Sequence, residues 1–249
     1  MKSERRINRL KAKERAESDA YAERMQACVS AEGSRAELYN FHFGQIVDCL
    51  PNCSMILEVG CGIGELTVYL EKHFESVCGV DSSHKSLVVA QRGLKKAPGC
   101  LYVSEGERLP FADARFDGIV LRGVIHHLPY PDQVLNECMR VLKPGGKLVI
   151  FEGNIDSIYR KLVLGLSVFL GMNTETSPFN HRPASEILQM IGGNENRVRS
   201  VSGLMAPVCL LGLPGRSIWR CLIGFDRLMS AVNWPIFNWY YLIESTKSH

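Results

Sequence analysis

The stretch ILEVGCGIGE contains the first residues of this sequence whose types and spacing could do chemistry. Its glycines are Gly60, Gly62 and Gly64, whereas a dinucleotide-binding loop needs its third glycine one position later. A pyrophosphate also favours a loop without nearby negative charge, but Glu58 precedes the first glycine and Glu65 directly follows the third. The stretch therefore predicts a loop that receives a cationic ligand and not a pyrophosphate.

Another acid, Asp81, ends the apolar segment SVCGVD. A carboxylate at the end of such a strand can accept hydrogen bonds from both hydroxyls of a ribose. As an alternative, Asp81 would cap a helix that begins in SSHKSLVV. A ribose-binding carboxylate beside a loop that receives a cation suits a nucleoside that carries a positive group. S-adenosylmethionine is such a ligand.

The segments around these motifs alternate between short apolar runs and amphipathic stretches, which is typical of parallel strands connected by helices. This alternation predicts a doubly wound, Rossmann-like, mostly parallel α/β sheet with helices on both faces, whose ligands bind at the carboxyl ends of the strands. The predicted strands are SMILEVG, SVCGVD, CLYVSEG, FDGIVLRG, KLVIFEG after a turn at PGG, RVRSVSGLM and WYYLIESTK.

Four stretches, ILEVGCGIGELT, VCGVD, VSEGERLPFADARFDGIVLRGVIHHL and RVLKPGGKLVI, together resemble the class I S-adenosylmethionine-dependent methyltransferases, in the type 11-like branch that acts on small molecules and lipids. The resemblance spans roughly residues 40 to 154. It implies S-adenosylmethionine as the cofactor, with Glu58 orienting its amino group and Asp81 holding its ribose. The remaining residues implied to contact the cofactor are Gly60, Cys61, Gly62, Gly64, Ser82, Glu105, Gly106, Arg122 and Gly123. The family often has Gly-Asp-Ala-Glu before LPF, and here Glu105 stands near the position of that aspartate.

Methyl transfer from a sulfonium mainly requires that acceptor and methyl group are held in line and that water is excluded. A hydroxyl acceptor would also benefit from a base, and imidazole suits this role near neutral pH. The candidates are His126, His127 and His181, although histidines at such positions often only pack or form local hydrogen bonds. Glu152 and Asn154 lie at the same predicted rim, where they either contact the acceptor or cap the next helix. Metal-dependent methyltransferases place acidic and amide ligands near the acceptor, and no compact cluster of that kind is visible in the sequence, so we expect no metal.

The region after the fifth strand carries acceptor specificity in the family, and here it is apolar and rich in large side chains. We therefore expect a small, hydrophobic or lipid-linked acceptor, methylated on oxygen. An amphipathic helix is predicted over residues 216–234, whose apolar face covers either the core, a dimer partner or a membrane interface. The aromatic residues Trp234, Trp239, Tyr240 and Tyr241 fit either an interfacial belt or a buried strand edge.

The bulk properties favour an intracellular enzyme with small-molecule partners. A net charge of +3 with both signs interspersed lacks the basic face expected of a nucleic-acid-binding protein. Nine cysteines without a CxxC pair indicate reduced thiols in the cytoplasm. The organisation predicted is a charged helical extension over 1–37, a cofactor-binding core over 38–154 and an acceptor-binding or lid region over 155–249. The charged extension is either solvated or a cap over another element.

Two classes of function are therefore open. The first is a methyltransferase that is cytoplasmic or peripheral at the membrane, as a monomer or homodimer. The second is a non-catalytic scaffold or partner-binding protein that keeps the cofactor fold. The intact glycine loop and Asp81 favour the enzyme, because a scaffold has no need to keep them.

Overall fold

A computed structural model describes residues 2–27, 34–95, 100–169, 181–192, 195–201, 224, 226–231, 234 and 238–248. The predicted helix over residues 216–234 lies mostly outside the described residues, although 226–231 are helical. Within the described residues no helix is both long enough and apolar enough to cross a bilayer.

Seven strands among the described residues form one sheet in the order β3-β2-β1-β4-β5-β7-β6. Strands β1 to β5 pair in parallel, and β7 is antiparallel to both β5 and β6. The strand order changes direction between β1 and β4, which confirms the predicted doubly wound, mostly parallel sheet. The strands are β1 (Met55–Val59), β2 (Ser76–Asp81), β3 (Leu101–Val103), β4 (Phe116–Arg122), β5 (Leu142–Gly153), β6 (Glu195–Val201) and β7 (Tyr240–Thr246).

Helices surround this sheet on both faces because its central strands are apolar on both sides. On β1, Ile56 packs in a cluster with side chains of α2 and α3, while Leu57 packs in a second cluster with α5 and α7. Burial of each such side chain contributes about 1.5–3 kcal/mol to stability. The helices are α1 (Lys2–Ala27), α2 (Ser34–Val47), α3 (Glu65–Leu70), α4 (His84–Gly93), α5 (Pro131–Val141), α6 (Ile158–Phe169) and α7 (Ala184–Ile191).

The N-terminal helix α1 packs against α4. Ser83 Oγ, just before α4, donates to Asp19 Oδ1 at 2.5 Å, and Lys85 Nζ lies 2.7 Å from Glu23 Oε1. Of the two alternatives for the charged extension, the structure therefore shows the cap over another element.

The turn predicted at PGG is wrong, because these residues belong to β5. The pairing of β5 with β4 jumps from Phe116 opposite Leu142 to Gly118 opposite Lys147, so the intervening residues form an irregular bulge. Gly145 enables this bulge with a φ of +74°, and its N–H donates to the Lys247 carbonyl at 2.9 Å.

The C-terminal aromatic residues do not share one environment. Tyr241 is buried on β7, which lies between β5 and β6 and is not an edge strand, whereas Trp234 is 55% exposed. Tyr241 is therefore buried on a strand, as one of the two alternatives predicted, although that strand lies inside the sheet and not at its edge.

Candidate functional site

The glycine loop follows β1 and is held against the end of β2. The N–H groups of Gly60 and Cys61 donate to the Val80 carbonyl at 2.8 and 3.0 Å. Gly60, Gly62 and Gly64 all have positive φ, at 73°, 51° and 81°, a region that side-chain-bearing residues rarely adopt. The loop sequence thus follows from its backbone conformation.

The two outer glycines also permit close packing. A Cβ on Gly60 would lie 2.5 Å from Cγ2 of Val124, which follows β4. A Cβ on Gly64 would lie 2.8 Å from the Cβ of Ala90 in α4, whereas one on Gly62 would meet nothing within 4 Å. Gly60 therefore brings β1 close to the loop after β4, and Gly64 brings the loop close to α4.

Asp81 is fixed at the end of β2 by two backbone donors. Its carboxylate accepts from the N–H groups of Gly62 and Ser83, each at 2.8 Å. Burial raises the pKa of Asp81, and these hydrogen bonds oppose that effect. The helix-cap alternative for Asp81 is wrong, because Ser83 caps α4 by accepting from the Ser86 N–H. Asp81 thus connects the glycine loop to the start of α4.

Glu58 lies on β1 with only 3% of its surface exposed. Thr67 Oγ1, in α3, donates to its Oε2 at 2.6 Å. Burial raises the pKa of Glu58 to about 8, so the carboxyl group is mostly protonated at neutral pH. A cation bound beside Glu58 would favour its ionised form.

The loop after β3 is connected to α1 by ion pairs. Glu105 pairs with Lys11 at 3.0 Å and with Arg15, and Glu107 pairs with Lys11 at 2.6 Å. Buried Gly106 lies between the two acids with a φ of +81°. Glu105, the residue expected near adenine, is therefore engaged with α1.

Arg122, the last residue of β4, and His127, in the loop that follows, lie at the same edge of the sheet. The Arg122 guanidinium lies 5.0 Å from the ring centroids of both Tyr39 and Phe43, and 3.8 Å from Glu65. His127 Nδ1 lies 2.8 Å from Oε2 of Glu14 in α1. The helix α1 therefore contacts the loops after both β3 and β4.

These elements enclose a cavity of about 970 Å³ at the carboxyl edge of the sheet, at the upper end of the usual size of ligand pockets. All but one of the residues expected to contact the cofactor line this cavity, and the exception, Gly64, faces α4. Those that line it are Glu58, Gly60, Cys61, Gly62, Asp81, Ser82, Glu105, Gly106, Arg122 and Gly123. Of the three candidate bases, His127 lines the cavity, while His126 and His181 lie beyond its lining.

The sequence analysis did not identify the wall that α1 contributes. Its cavity-lining residues include Lys11, Glu14, Glu17, Ser18 and Tyr21. Their spacing of three and four residues places them on one face of a helix. This spacing is the sequence pattern that could have identified α1 as part of the cavity wall. The signal was weak because that face is mostly charged and polar, as solvated faces are.

His126 and His181 instead belong to a polar network around buried Glu152. Glu152 Oε1 accepts from the Ile125 N–H at 2.6 Å, and Oε2 lies 2.8 Å from His126 Nδ1. Burial alone would raise the pKa of Glu152, but the hydrogen bond from His126 holds it below its usual value. With Nδ1–H donating to the carboxylate, the basic lone pair of neutral His126 is on Nε2.

His181 is kept neutral in the same network. Burial, reinforced by the neighbouring His126 and Arg160, lowers the pKa of His181 to about 3. Arg160 Nη2 donates to His181 Nε2 at 2.9 Å, and the imidazoles of His126 and His181 stack with centroids 4.2 Å apart. Since Arg160 can only donate, the proton of His181 is on Nδ1.

The structure brings together three side chains of types that can bind a metal, although not the acidic and amide set considered in the sequence analysis. One ligand atom from each of His126, Glu152 and His181 lies within 4.8 Å of the others. However, a metal on His181 would have to displace either the Arg160 donor from Nε2 or the proton from Nδ1. The arrangement therefore favours a hydrogen-bonded network over a metal centre.

Asn154 and Ser157 stabilise the chain between β5 and α6. Asn154 Oδ1 accepts from the Asp156 N–H at 3.0 Å, and Ser157 Oγ accepts from the Arg160 N–H at 3.1 Å. Asn154 is buried, and its amide also donates to the Asn238 carbonyl. These contacts give Asn154 a local structural role.

The cavity combines features that suit a nucleoside with a positive group. Its glycine loop permits close approach, its walls are rich in carboxylates, and Asp81 lies at the end of the second strand. An imidazole held by a buried carboxylate lies just beyond the rim. These features can bind a cationic nucleoside and accept a proton nearby.

Comparison with known proteins agrees with this chemistry. Residues 57–150 match the family model described as "Methyltransferase domain". The chain is 36% identical over 104 residues to the demethylmenaquinone methyltransferase of Thermotoga maritima, in a match that covers 41% of this chain and 44% of that protein. It is 31% identical over 136 residues to the phosphatidylethanolamine N-methyltransferase of Cereibacter sphaeroides, with 49% and 66% covered.

The chain spans about half the length of the curated relatives it matches. Among solved structures, a SAM-dependent methyltransferase from Archaeoglobus fulgidus is similar with a TM-score of 0.56 and 19% identity, covering 85% of this chain and 94% of that one. This likeness shows the fold.

Gly60→Ala should destabilise the protein more than Gly62→Ala. Both substitutions place a side-chain-bearing residue at positive φ, at a cost of about 1 kcal/mol. Only Gly60→Ala also brings a methyl group against Val124, and such overpacking costs about 1–3 kcal/mol more. Urea unfolding of both variants measures the difference, and equal losses would contradict the close packing between the two loops.

Proposed function

We propose that this chain, which belongs to the class I S-adenosylmethionine-dependent methyltransferases, transfers the methyl group of S-adenosylmethionine to a small acceptor. The family and cofactor predicted from the sequence agree with the matched methyltransferase domain. The observation that carries the proposal is the single cavity that contains Glu58, the glycine loop and Asp81.

Each part of the cofactor has a suitable environment in this proposal. Asp81 accepts from the ribose hydroxyls, and Glu58 interacts with the amino group. The positive φ of Gly60 and Gly62 lets the backbone approach the ligand closely. Arg122 and Gly123 lie beside the methionine part at the end of β4.

For the acceptor we propose a hydroxyl group on a hydrophobic or lipid-like molecule. Relatives named for demethylmenaquinone and phosphatidylethanolamine methylation support a lipid-like acceptor, and the second of them is named for methylation on nitrogen. The His126–Glu152 pair supports oxygen, because a hydroxyl must lose a proton during transfer.

Helix α6, which follows the rim, presents Ile158, Leu162, Leu166 and Phe169 as exposed apolar side chains. Their spacing places them along one side of the helix. This exposed apolar surface supports the proposal that the acceptor is hydrophobic and is taken up at a membrane surface.

Titration with S-adenosylhomocysteine tests the cofactor site. We expect micromolar binding, and Asp81→Asn should weaken it by about tenfold or more, because hydrogen bonds to a charged group contribute about 1.5–3 kcal/mol. Glu75→Gln, on an exposed acid away from the cavity, is the control. Calorimetry gives the affinities, and folded protein that binds neither S-adenosylmethionine nor S-adenosylhomocysteine would overturn the proposal.

Transfer itself is tested with methyl-labelled S-adenosylmethionine and two probes, a hydroquinone with an isoprenoid tail and vesicles containing phosphatidylethanolamine. Label on the hydroquinone oxygen would support the proposed acceptor class. Label on the amine of phosphatidylethanolamine would instead show that the methylated atom is nitrogen and not oxygen. Cofactor binding without transfer to either probe would count against a lipid-like acceptor.

Cofactor binding should release a proton at pH 7. Burial raises the pKa of Glu58 to about 8, so its carboxyl group is mostly protonated in the empty cavity and becomes ionised when an ammonium binds beside it. Affinity should therefore rise between pH 6 and 8 and level off above the pKa of Glu58. Calorimetry in buffers of different ionisation enthalpy measures the proton, and Glu58→Gln should abolish its release.

The pH dependence of folding provides an independent check on Glu58. The pKa of Glu58 is higher in the folded than in the unfolded protein. Its contribution to folding stability is therefore fully present when the pH is below the pKa that Glu58 has in the unfolded chain. That contribution is lost as pH rises through about 8. The free energy of unfolding of Glu58→Gln, measured relative to the wild type, should therefore be larger above pH 8 than at pH 5.

His126→Gln should lower kcat by about a hundredfold or more with a hydroxyl acceptor, since a general base contributes that much. Glu152→Gln should also lower kcat, because it removes the carboxylate that holds His126 Nδ1–H. Both variants should retain S-adenosylhomocysteine affinity, since neither residue lines the cavity. His73→Gln, at an exposed histidine, is the control, and an unchanged kcat in His126→Gln would exclude it as the base.

A further inference from the structure

Helix α1 places two carboxylates, Glu14 and Glu17, in the wall of the cofactor cavity. Oε2 of Glu14 contacts His127 at 2.8 Å, and Oε1 of Glu17 lies 3.6 Å from Lys13. The second oxygen of each, Glu14 Oε1 and Glu17 Oε2, is buried without a hydrogen-bond partner in the part of the chain that the structure describes.

Buried carboxylate oxygens without a partner are costly, and proteins rarely retain them. Glu14 and Glu17 are three residues apart in the helix, so both lie on the side of α1 that faces the cavity. A ligand in the cavity that donates hydrogen bonds or carries positive charge would provide the missing interaction.

The charges of the cavity point to a cationic ligand. Its basic residues Lys11 and Arg15 are paired with Glu105 and Glu107, and Arg122 lies beside Glu65. The described cations of the wall are thus engaged with other acids. The carboxylates of α1 therefore add negative charge to a cavity that already contains Asp81.

We propose that Glu14 and Glu17 bind the cofactor from α1 and select its sulfonium form over the thioether product, which lacks the sulfonium charge. This inference rests on the proposed function. In the transfer the S–CH₃ bond breaks and its electron pair stays on sulfur, while the acceptor oxygen forms the new bond to carbon and its proton passes to the base. S-adenosylmethionine thereby loses one positive charge and becomes S-adenosylhomocysteine. Carboxylates in the wall of the same cavity favour the first and help release the second.

Glu17→Gln is the principal test, because Glu14 also contacts His127. Calorimetric titration of the full chain with S-adenosylmethionine and with S-adenosylhomocysteine gives the ratio of their affinities. Removing one carboxylate charge from the cavity that holds the sulfonium should lower this ratio by about fivefold, since Coulomb attraction at an intermediate dielectric is about 1 kcal/mol. Glu14→Gln together with Glu17→Gln should lower it further, and high salt should reduce the ratio in the wild type.

Glu4→Gln is the matched control, since Glu4 lies on the same helix but is exposed and outside the cavity lining. Circular dichroism and unfolding of all variants separate loss of folding from loss of selectivity. An unchanged ratio in folded Glu17→Gln, or an equal loss of affinity for both ligands, would overturn the inference while leaving the proposed function intact. A wild-type protein that binds neither ligand would overturn both.

Discussion

The pairing of β1 with β4 in the middle of the sheet is the constraint on which the site depends. The chain leaves β1 toward β2 on one side, and β4 lies on the other, so the loops after β1 and β4 diverge from a common point. Gly60 allows these loops to touch at Val124. The glycine loop, Arg122 and His127 therefore surround one cavity although they come from distant parts of the chain.

Three acids at this edge, Glu58, Asp81 and Glu152, are each stabilised in a different way although they are buried. Glu58 is mostly protonated, Asp81 accepts two backbone N–H groups, and Glu152 accepts from a backbone N–H and an imidazole. A positive charge in the cavity would therefore meet acids that are already fixed in place, while Glu14 and Glu17 of α1 each keep one carboxylate oxygen without a hydrogen-bond partner among the described residues. A cationic ligand would complete this arrangement, which explains why acids occur in a loop where phosphate-binding proteins avoid them.

The fold and the cofactor side of the cavity could be predicted because their signals are local. Apolar strands, amphipathic helices and positive-φ glycines are each encoded within a few neighbouring residues. The bulge at Gly145 was missed because a Pro-Gly-Gly sequence suits both a turn and an irregular strand, and only the pairing with β4 and Lys247 decides between them. The Glu152 network was missed because its members come from four separate segments, the loop after β4, β5, α6 and the residues before α7.

The role of α1 illustrates the same limit, since its charged sequence looks like a solvated helix until its partners are known. Lys11 pairs with acids more than ninety positions away, and Glu14 pairs with His127 after β4. Ion pairs near the surface contribute little individually, so α1 depends on several of them together with its packing against α4, and no single residue of its sequence marks the helix as part of the cavity wall.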